Sequence, residues 1–271
     1  MQTFTWRQWG FRWLLLYIVT PYLAVILMMA AFQRKLIFQP MKTGRLLAQD
    51  AGEAKIEDIE LAVEPGLTLH GWMFRADPAE DARLPFLAIY FPGNAGCRRH
   101  RVADCRDFTQ HHCDVLLFDY RGYGDNLGSP GEVQFSADAR LIWKYASREL
   151  GVPPERILIF GESLGGALAT KLAAELSQAG TPPAGLILNS TFASLGDTVA
   201  WHYPAFPFRY LLWDQFPSIR LMPDVACPIL QFHGTADSTI PFEHGRRLFD
   251  AAPPCAANRI AKSPAIRART A

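Results

Sequence analysis

The chain has 271 residues, with 27 Lys and Arg against 26 Asp and Glu, 49% hydrophobic and 20% charged residues. Balanced charge argues against an electrostatic nucleic-acid binder, and the apolar and aromatic content excludes a disordered chain. The five cysteines, at 97, 105, 113, 227 and 255, form no CxxC pair, which argues against a zinc ribbon or a disulfide scaffold. The run His111-His112-Cys113 reads as a helix end rather than a ligand set, because adjacent side chains point apart.

From Trp13 to Phe32 there are 20 residues without a charge, bracketed by Arg12 and by Arg34-Lys35. As a helix they would span about 30 Å, the hydrocarbon thickness of a bilayer. Trp6, Trp9 and Trp13 supply an aromatic belt at the entry side, and Pro21 interrupts the middle. The alternative, a cleaved signal peptide, would need an unusually long apolar core, and Met28-Met29-Ala30-Ala31 is a poor cleavage site. Residues 1–35 are therefore expected to be an uncleaved membrane anchor. Arg7 and Arg12 precede the span and Arg34, Lys35, Lys42 and Arg45 follow it, a bias too small to set an orientation.

Beyond it, short apolar runs alternate with helical patterns, the signature of a mainly parallel sheet wrapped by helices. Ile56–Val63 and Leu67–Arg75 flank Pro65-Gly66 as a hairpin. Strands are expected at Phe86–Phe91, Val115–Tyr120, Arg156–Phe160, Leu186–Leu188 and Pro228–Phe232. Helices are expected at Val133–Leu150, Leu164–Gln178 and Phe242–Phe249. Between the last two strands, residues 193–226 concentrate aromatics, among them Trp201, Tyr203, Phe206, Phe208, Tyr210, Trp213 and Phe216. That insert reads as a lid over an apolar site, or as a helical excursion packed on the domain.

The strongest chemical signal is Gly161-Glu162-Ser163-Leu164-Gly165-Gly166, after a strand and opening a helix. A serine hydroxyl is a weak nucleophile that must project clear of the sheet, and a sharp strand-to-helix turn between glycines achieves this. The Leu164 N–H then faces a developing oxyanion. A second donor is expected from Pro92-Gly93-Asn94-Ala95-Gly96, with Asn94 N–H first and Ala95 N–H second. Asp237 occupies the place of the acid, in the loop after a late strand; Asp214 and Asp224 lie in the insert, and Asp119 reads as a brace for residues 121–125. Glu162 is given no catalytic role. Gly122, Gly124 and Gly128 do not match the dinucleotide fingerprint.

Together with Phe118-Asp119-Tyr120-Arg121-Gly122-Tyr123-Gly124, Asn189-Ser190-Thr191-Phe192-Ala193-Ser194 and His233-Gly234-Thr235-Ala236-Asp237, these motifs resemble the α/β-hydrolase superfamily. More narrowly they are similar to its membrane-anchored serine aminopeptidase-like and bud-emergence-type branch. The resemblance runs from about Leu36 to Phe249 and implies an α/β sandwich that hydrolyses esters, thioesters or amides without a cofactor or metal. Its expected partners are a small or lipid-like acyl substrate and a membrane. Pro92 stands where the family often has His, and Asp125-Asn126 replaces the more usual pair after Gly124.

One departure is larger. The family places its general-base histidine after one more strand, yet no histidine follows His244. Residues 251–271 contain eight Ala, three Arg and one Lys, with no acid and no aromatic. A missing last strand and helix, an atypical tail from 251, and a frame shift near residue 254 are therefore expected, with a bare sheet edge prone to association. His202, His233 and His244 are the possible substitutes. The two readings are an impaired serine hydrolase acting through Ser163, and a non-catalytic or truncated relative that at most binds acyl ligands.

Overall fold

The computed structural model describes residues 6–52, 55–77, 86–254 and 259–263. An N-terminal helix, α1 (Trp6–Leu14), passes through a π-helical turn, Leu15–Val19, into α2 (Thr20–Ile37). The turn precedes Pro21, which cannot donate to the ladder, and the Leu15 carbonyl accepts both the Thr20 N–H and, at 2.8 Å, the Thr20 hydroxyl. Trp9–Ile37 forms 29 residues of apolar helix, long enough to cross a bilayer.

There follow the short β1 (Gln39–Pro40), the hairpin β2 (Ile56–Glu64) and β3 (Leu67–Phe74), then β4 (Phe86–Phe91) and the short β5 (Ala95–Gly96). The α/β repeat continues with α3 (Val102–Gln110), β6 (Cys113–Phe118), α4 (Glu132–Lys144), β7 (Ile157–Glu162), α5 (Leu164–Gln178) and β8 (Gly185–Asn189). The insert contributes α6 (Leu195–His202) and α7 (Ser218–Leu221), before β9 (Ile229–Gly234), α8 (Phe242–Asp250) and β10 (Arg259–Ser263).

The main sheet runs β10-β9-β8-β7-β4-β6-β3-β2, parallel except for the pairings of β3 with β2 and β6. Side-chain alternation divides each central strand between two cores. Leu87, Ile89 and Phe91 of β4 pack with α4 and α5 residues such as Phe135, Ile142 and Leu168. Ala88 and Tyr90 pack on the opposite side with Trp72, Cys105 and Phe160.

The carboxyl end corrects one expectation. Residues 259–263 pair in parallel with β9 from Arg259↔Leu230 to Ser263↔Gly234, so the last strand exists and the β9 edge is covered. Backbone pairing requires no apolar alternation, and an edge strand tolerates the exposed Arg259 and Lys262, the latter with its ammonium 5.2 Å from the Phe242 ring. The argument for association through a bare β9 edge falls with it. The expected frame change near residue 254 touches 255–258, and those residues, like 264–271, lie outside the described ones.

Candidate active site

The carboxyl ends of the parallel strands meet at one edge, the place where open α/β sheets hold their ligands. Ser163 follows β7 directly and adopts φ 52°, ψ −114°, a conformation that side chains rarely occupy. Several contacts hold it there. Its N–H donates to the Asn189 carbonyl at 2.8 Å, and its carbonyl accepts from the Gly166 N–H at 3.0 Å and the Thr191 hydroxyl at 2.8 Å. The flanking glycines are required by proximity: a Cβ on Gly165 would lie 2.0 Å from the Phe91 carbonyl oxygen, and one on Gly161 would lie 2.5 Å from that of Gly165. The helix α5 can therefore press against the ends of β4 and β7, leaving Ser163 at the bend.

The loop after β4 is pinned by side chains. Asn94 donates from Nδ2 to the Ile37 carbonyl at 2.6 Å and accepts the Tyr123 hydroxyl at 2.8 Å on Oδ1. Tyr120 donates to the Pro92 carbonyl at 2.6 Å. Residues Gln39–Pro40 pair with Ala95–Gly96, so the chain leaving α2 lies along this loop.

Asp237 is buried after β9. Its Oδ1 accepts the N–H groups of Thr239 and Ile240, both at 2.9 Å. His233 is wholly buried and donates from Nε2 to the Ile240 carbonyl at 2.8 Å, with Asp237 Oδ2 3.9 Å away; it braces this turn. His244 is buried in α8 against Trp201, and burial lowers its pKa first, with Arg247 adding to the effect. His202 points elsewhere. It donates from Nε2 to the Thr239 carbonyl at 2.9 Å and lines the same cavity as Ser163.

That cavity has a volume of about 940 Å³. Ser163, Leu164, Asn94, Ala95 and Asp237 all line it, and His202 is the one histidine on its wall among the described residues. Its lining includes the apolar Phe192 and, from the insert, Leu195, Val199, Phe208 and Leu212. Of the insert's aromatics, Phe208 and Phe216 are buried, while Trp201, Tyr203, Tyr210 and Trp213 are exposed.

Two buried arginines are not singled out by the sequence, because nothing in the run Arg98-Arg99-His100-Arg101 shows which members fold inward. Arg101 meets Glu162 at 2.8 Å, with the Tyr90 hydroxyl 3.1 Å from the same carboxylate. Burial opposes the Arg101 charge, and Glu162, Tyr90 and Asp104 together outweigh it, raising the pKa overall. Arg98, fully buried, donates to Asp119 at 2.7 Å and lies 4.9 Å from the Trp72 ring. Asp119 thus anchors a cation and takes the Arg98 N–H at 2.6 Å, and it is Arg98 that reaches residues 121–125, donating to Asp125 at 3.0 Å.

A parallel sheet, a strained serine between strand and helix, and an acid after a late strand define an α/β-hydrolase architecture. The model of the alpha/beta hydrolase family matches residues 61–269, and the chain belongs to that family. It is 37% identical over 228 residues to an uncharacterized protein of Mycobacterium tuberculosis, covering 84% of this chain and 78% of the relative. It is 31% identical to the lysophosphatidylserine lipase ABHD12 of Danio rerio, covering 90% and 73%. Among solved structures it is similar to an alpha-beta hydrolase from Vibrio vulnificus (TM-score 0.65, 21% identity, 79% and 75% covered). An esterase from Pyrococcus furiosus is also similar (TM-score 0.60, 17% identity, 84% and 89% covered).

Proposed function

We propose that this chain is a membrane-anchored serine hydrolase that cleaves an acyl ester of a lipid-like substrate through an acyl-enzyme on Ser163. The observation that carries the reading is the strained Ser163 backbone on the wall of an apolar cavity, with Leu164 opening a helix behind it. Attack by Ser163 Oγ on the carbonyl carbon would place the oxyanion toward the Leu164 and Asn94 N–H groups, with Ala95 as the second choice for the latter. The alcohol leaves, and water then releases the acid. The lipase among the relatives favours an ester of a lipid over the amide or thioester that a serine aminopeptidase-like branch would suggest. Residues 13–32 would hold the protein in the membrane, supported by the exposed apolar helix of which they are part.

Asp237 would orient a histidine, and the histidine after it in sequence, His244, is committed to α8 packing. Turnover is therefore proposed to be weak, near the roughly 10³–10⁴-fold acceleration over water that oxyanion stabilisation and binding retain without a triad. His202 is the second reading for the base, favoured by its hydrogen bond to Thr239, whose own N–H is bound to Asp237. Fluorophosphonate labelling of the full chain in detergent tests this. Labelling lost in Ser163→Ala supports the serine, and labelling also lost in His202→Ala assigns the base. A parent chain that never labels supports a non-catalytic acyl binder instead.

A further inference from the structure

One wall of the cavity is unusual, because α2 itself supplies it: Met29, Ala30, Gln33, Leu36 and Ile37 line the same space as Ser163. Their spacing of three and four residues places them on one helix face. That face is the less exposed one along α2, from Ile26 through Met29 and Ala30 to Gln33 and Ile37, with Leu36 exposed beside it, whereas Leu23, Leu27 and Phe32 are exposed without reaching the cavity.

The lid rides on the same stripe. Tyr22 stacks on Phe206 at 5.3 Å and donates to the Ala205 carbonyl at 3.0 Å. Gln33, buried just beyond the uncharged stretch of the helix, donates to the Leu211 carbonyl at 3.2 Å and accepts the Trp213 N–H at 2.7 Å. Tyr22 and Gln33 are eleven residues apart, so lid and helix run together for about 16 Å. Tyr22 lies near the middle of the uncharged stretch 13–32. If that stretch spans, the lid enters the depth of one leaflet, and the exposed Tyr210 and Trp213 have the amphipathic character of interfacial side chains.

We propose that the anchor helix is one wall of the acyl-chain site, and that a single-chain lipid reaches Ser163 by passing between α2 and the lid directly from the surrounding leaflet. The residues that set which chain fits would then include Ala30 and Leu36 of the helix as well as Leu211 and Leu212 of the lid. The inference rests on the reading of residues 13–32 as a membrane anchor and of the cavity as an acyl site, but not on catalysis.

The test uses the full chain in phosphatidylcholine vesicles containing a lysophosphatidylcholine with a diazirine at the end of its acyl chain. After illumination, crosslinked residues are located by mass spectrometry. Adducts are expected on Ala30, Leu36, Leu211 or Leu212, and Ala30→Trp, which fills the passage, should lose most of the lid adducts while those on Leu23 and Leu27 persist. Leu27→Trp, on the outward face, should change nothing in the cavity. Adducts confined to the outward face, or cavity adducts indifferent to Ala30→Trp, would overturn the proposal. Release of the chain from vesicles by alkali would instead overturn the anchor, and failure of Ser163 to label would concern catalysis alone.

Discussion

The side-chain amide of Asn94 is bound to the carbonyl of Ile37, the last residue of α2, at 2.6 Å. The loop proposed to hold the oxyanion is therefore fastened to the end of the apolar helix. Asn94→Leu removes this bond and the one from Tyr123, leaving two partly buried polar groups without their partner. Such losses cost about 1–3 kcal/mol, so a lower melting temperature in detergent and slower fluorophosphonate labelling are expected. A variant that labels at the parent rate would show that the loop holds its shape without the helix.

Ser163 stores backbone strain. Positions held in sparsely populated φ/ψ regions cost about 1–3 kcal/mol, which glycine relieves at some entropic expense. Ser163→Gly should thus stabilise the fold by about 1 kcal/mol while abolishing labelling. Ser163→Ala should abolish labelling with little change in stability, because its Cβ keeps the strain. Denaturant unfolding of the three chains checks the difference.

Gly165 permits α5 to touch β4. An alanine there meets the Phe91 and Pro92 carbonyl oxygens at 2.0 and 2.6 Å, which are backbone atoms and cannot rotate away. Overpacking of this kind costs about 1–3 kcal/mol and sometimes more. Gly10→Ala, which meets nothing within 4 Å, is the control and should not destabilise. Equal melting curves for the two would contradict the packing described for the elbow.

Arg34 holds Asp214 through two bonds, at 2.9 and 3.2 Å, and Asp214 is almost fully buried. Arg34→Met leaves that carboxylate with the Glu132 N–H at 2.8 Å as a remaining donor. The arginine side chain is 38% exposed, so the loss should be nearer the lower end of about 1–3 kcal/mol. Adding Asp214→Asn removes the charge and should recover part of the stability. Thermal melts of the single and double variants decide it.

Burial lowers the His244 pKa below its ordinary 6.5, with Arg247, His233 and His202 acting in the same direction and Asp197 against it. The unfolded chain then binds the proton more readily than the folded one. Stability from this residue is complete above the unfolded value and falls as pH drops through it toward the folded value. His244→Phe should flatten the decline in melting temperature between about pH 7 and 5. An unchanged slope would assign the acid sensitivity elsewhere, His70 being the other histidine lowered chiefly by burial.

Sequence patterning located the hairpin, the central strands and α5 because each carries a clear period or a turn signal. That Ser163, Leu164, Asn94 and Asp237 line one cavity was legible for a related reason: each follows the end of a parallel strand within three residues. What escaped depends on contacts distant in the chain. Arg98 and Arg101 look solvated until Asp119 and Glu162 are folded over them. β10 has no apolar alternation, and its existence follows from the free edge that β9 offers. The packing of Gln33 into the lid could not be read from an uncharged run, although a lone amide just beyond it was a signal that the helix has a polar partner.

The bonded line from Arg34 to Asp214 and on to the first turn of α4 has a mechanical meaning. Glu132 also accepts the N–H groups of Gln215 and Phe216, at 2.7 and 2.9 Å, so the joint is braced from both sides. A rod fixed at such a joint cannot swivel like a flexible tether. In a bilayer the tilt of the rod would dictate the height and attitude of the whole body, and a thicker or thinner membrane would be felt at the mouth of the cavity.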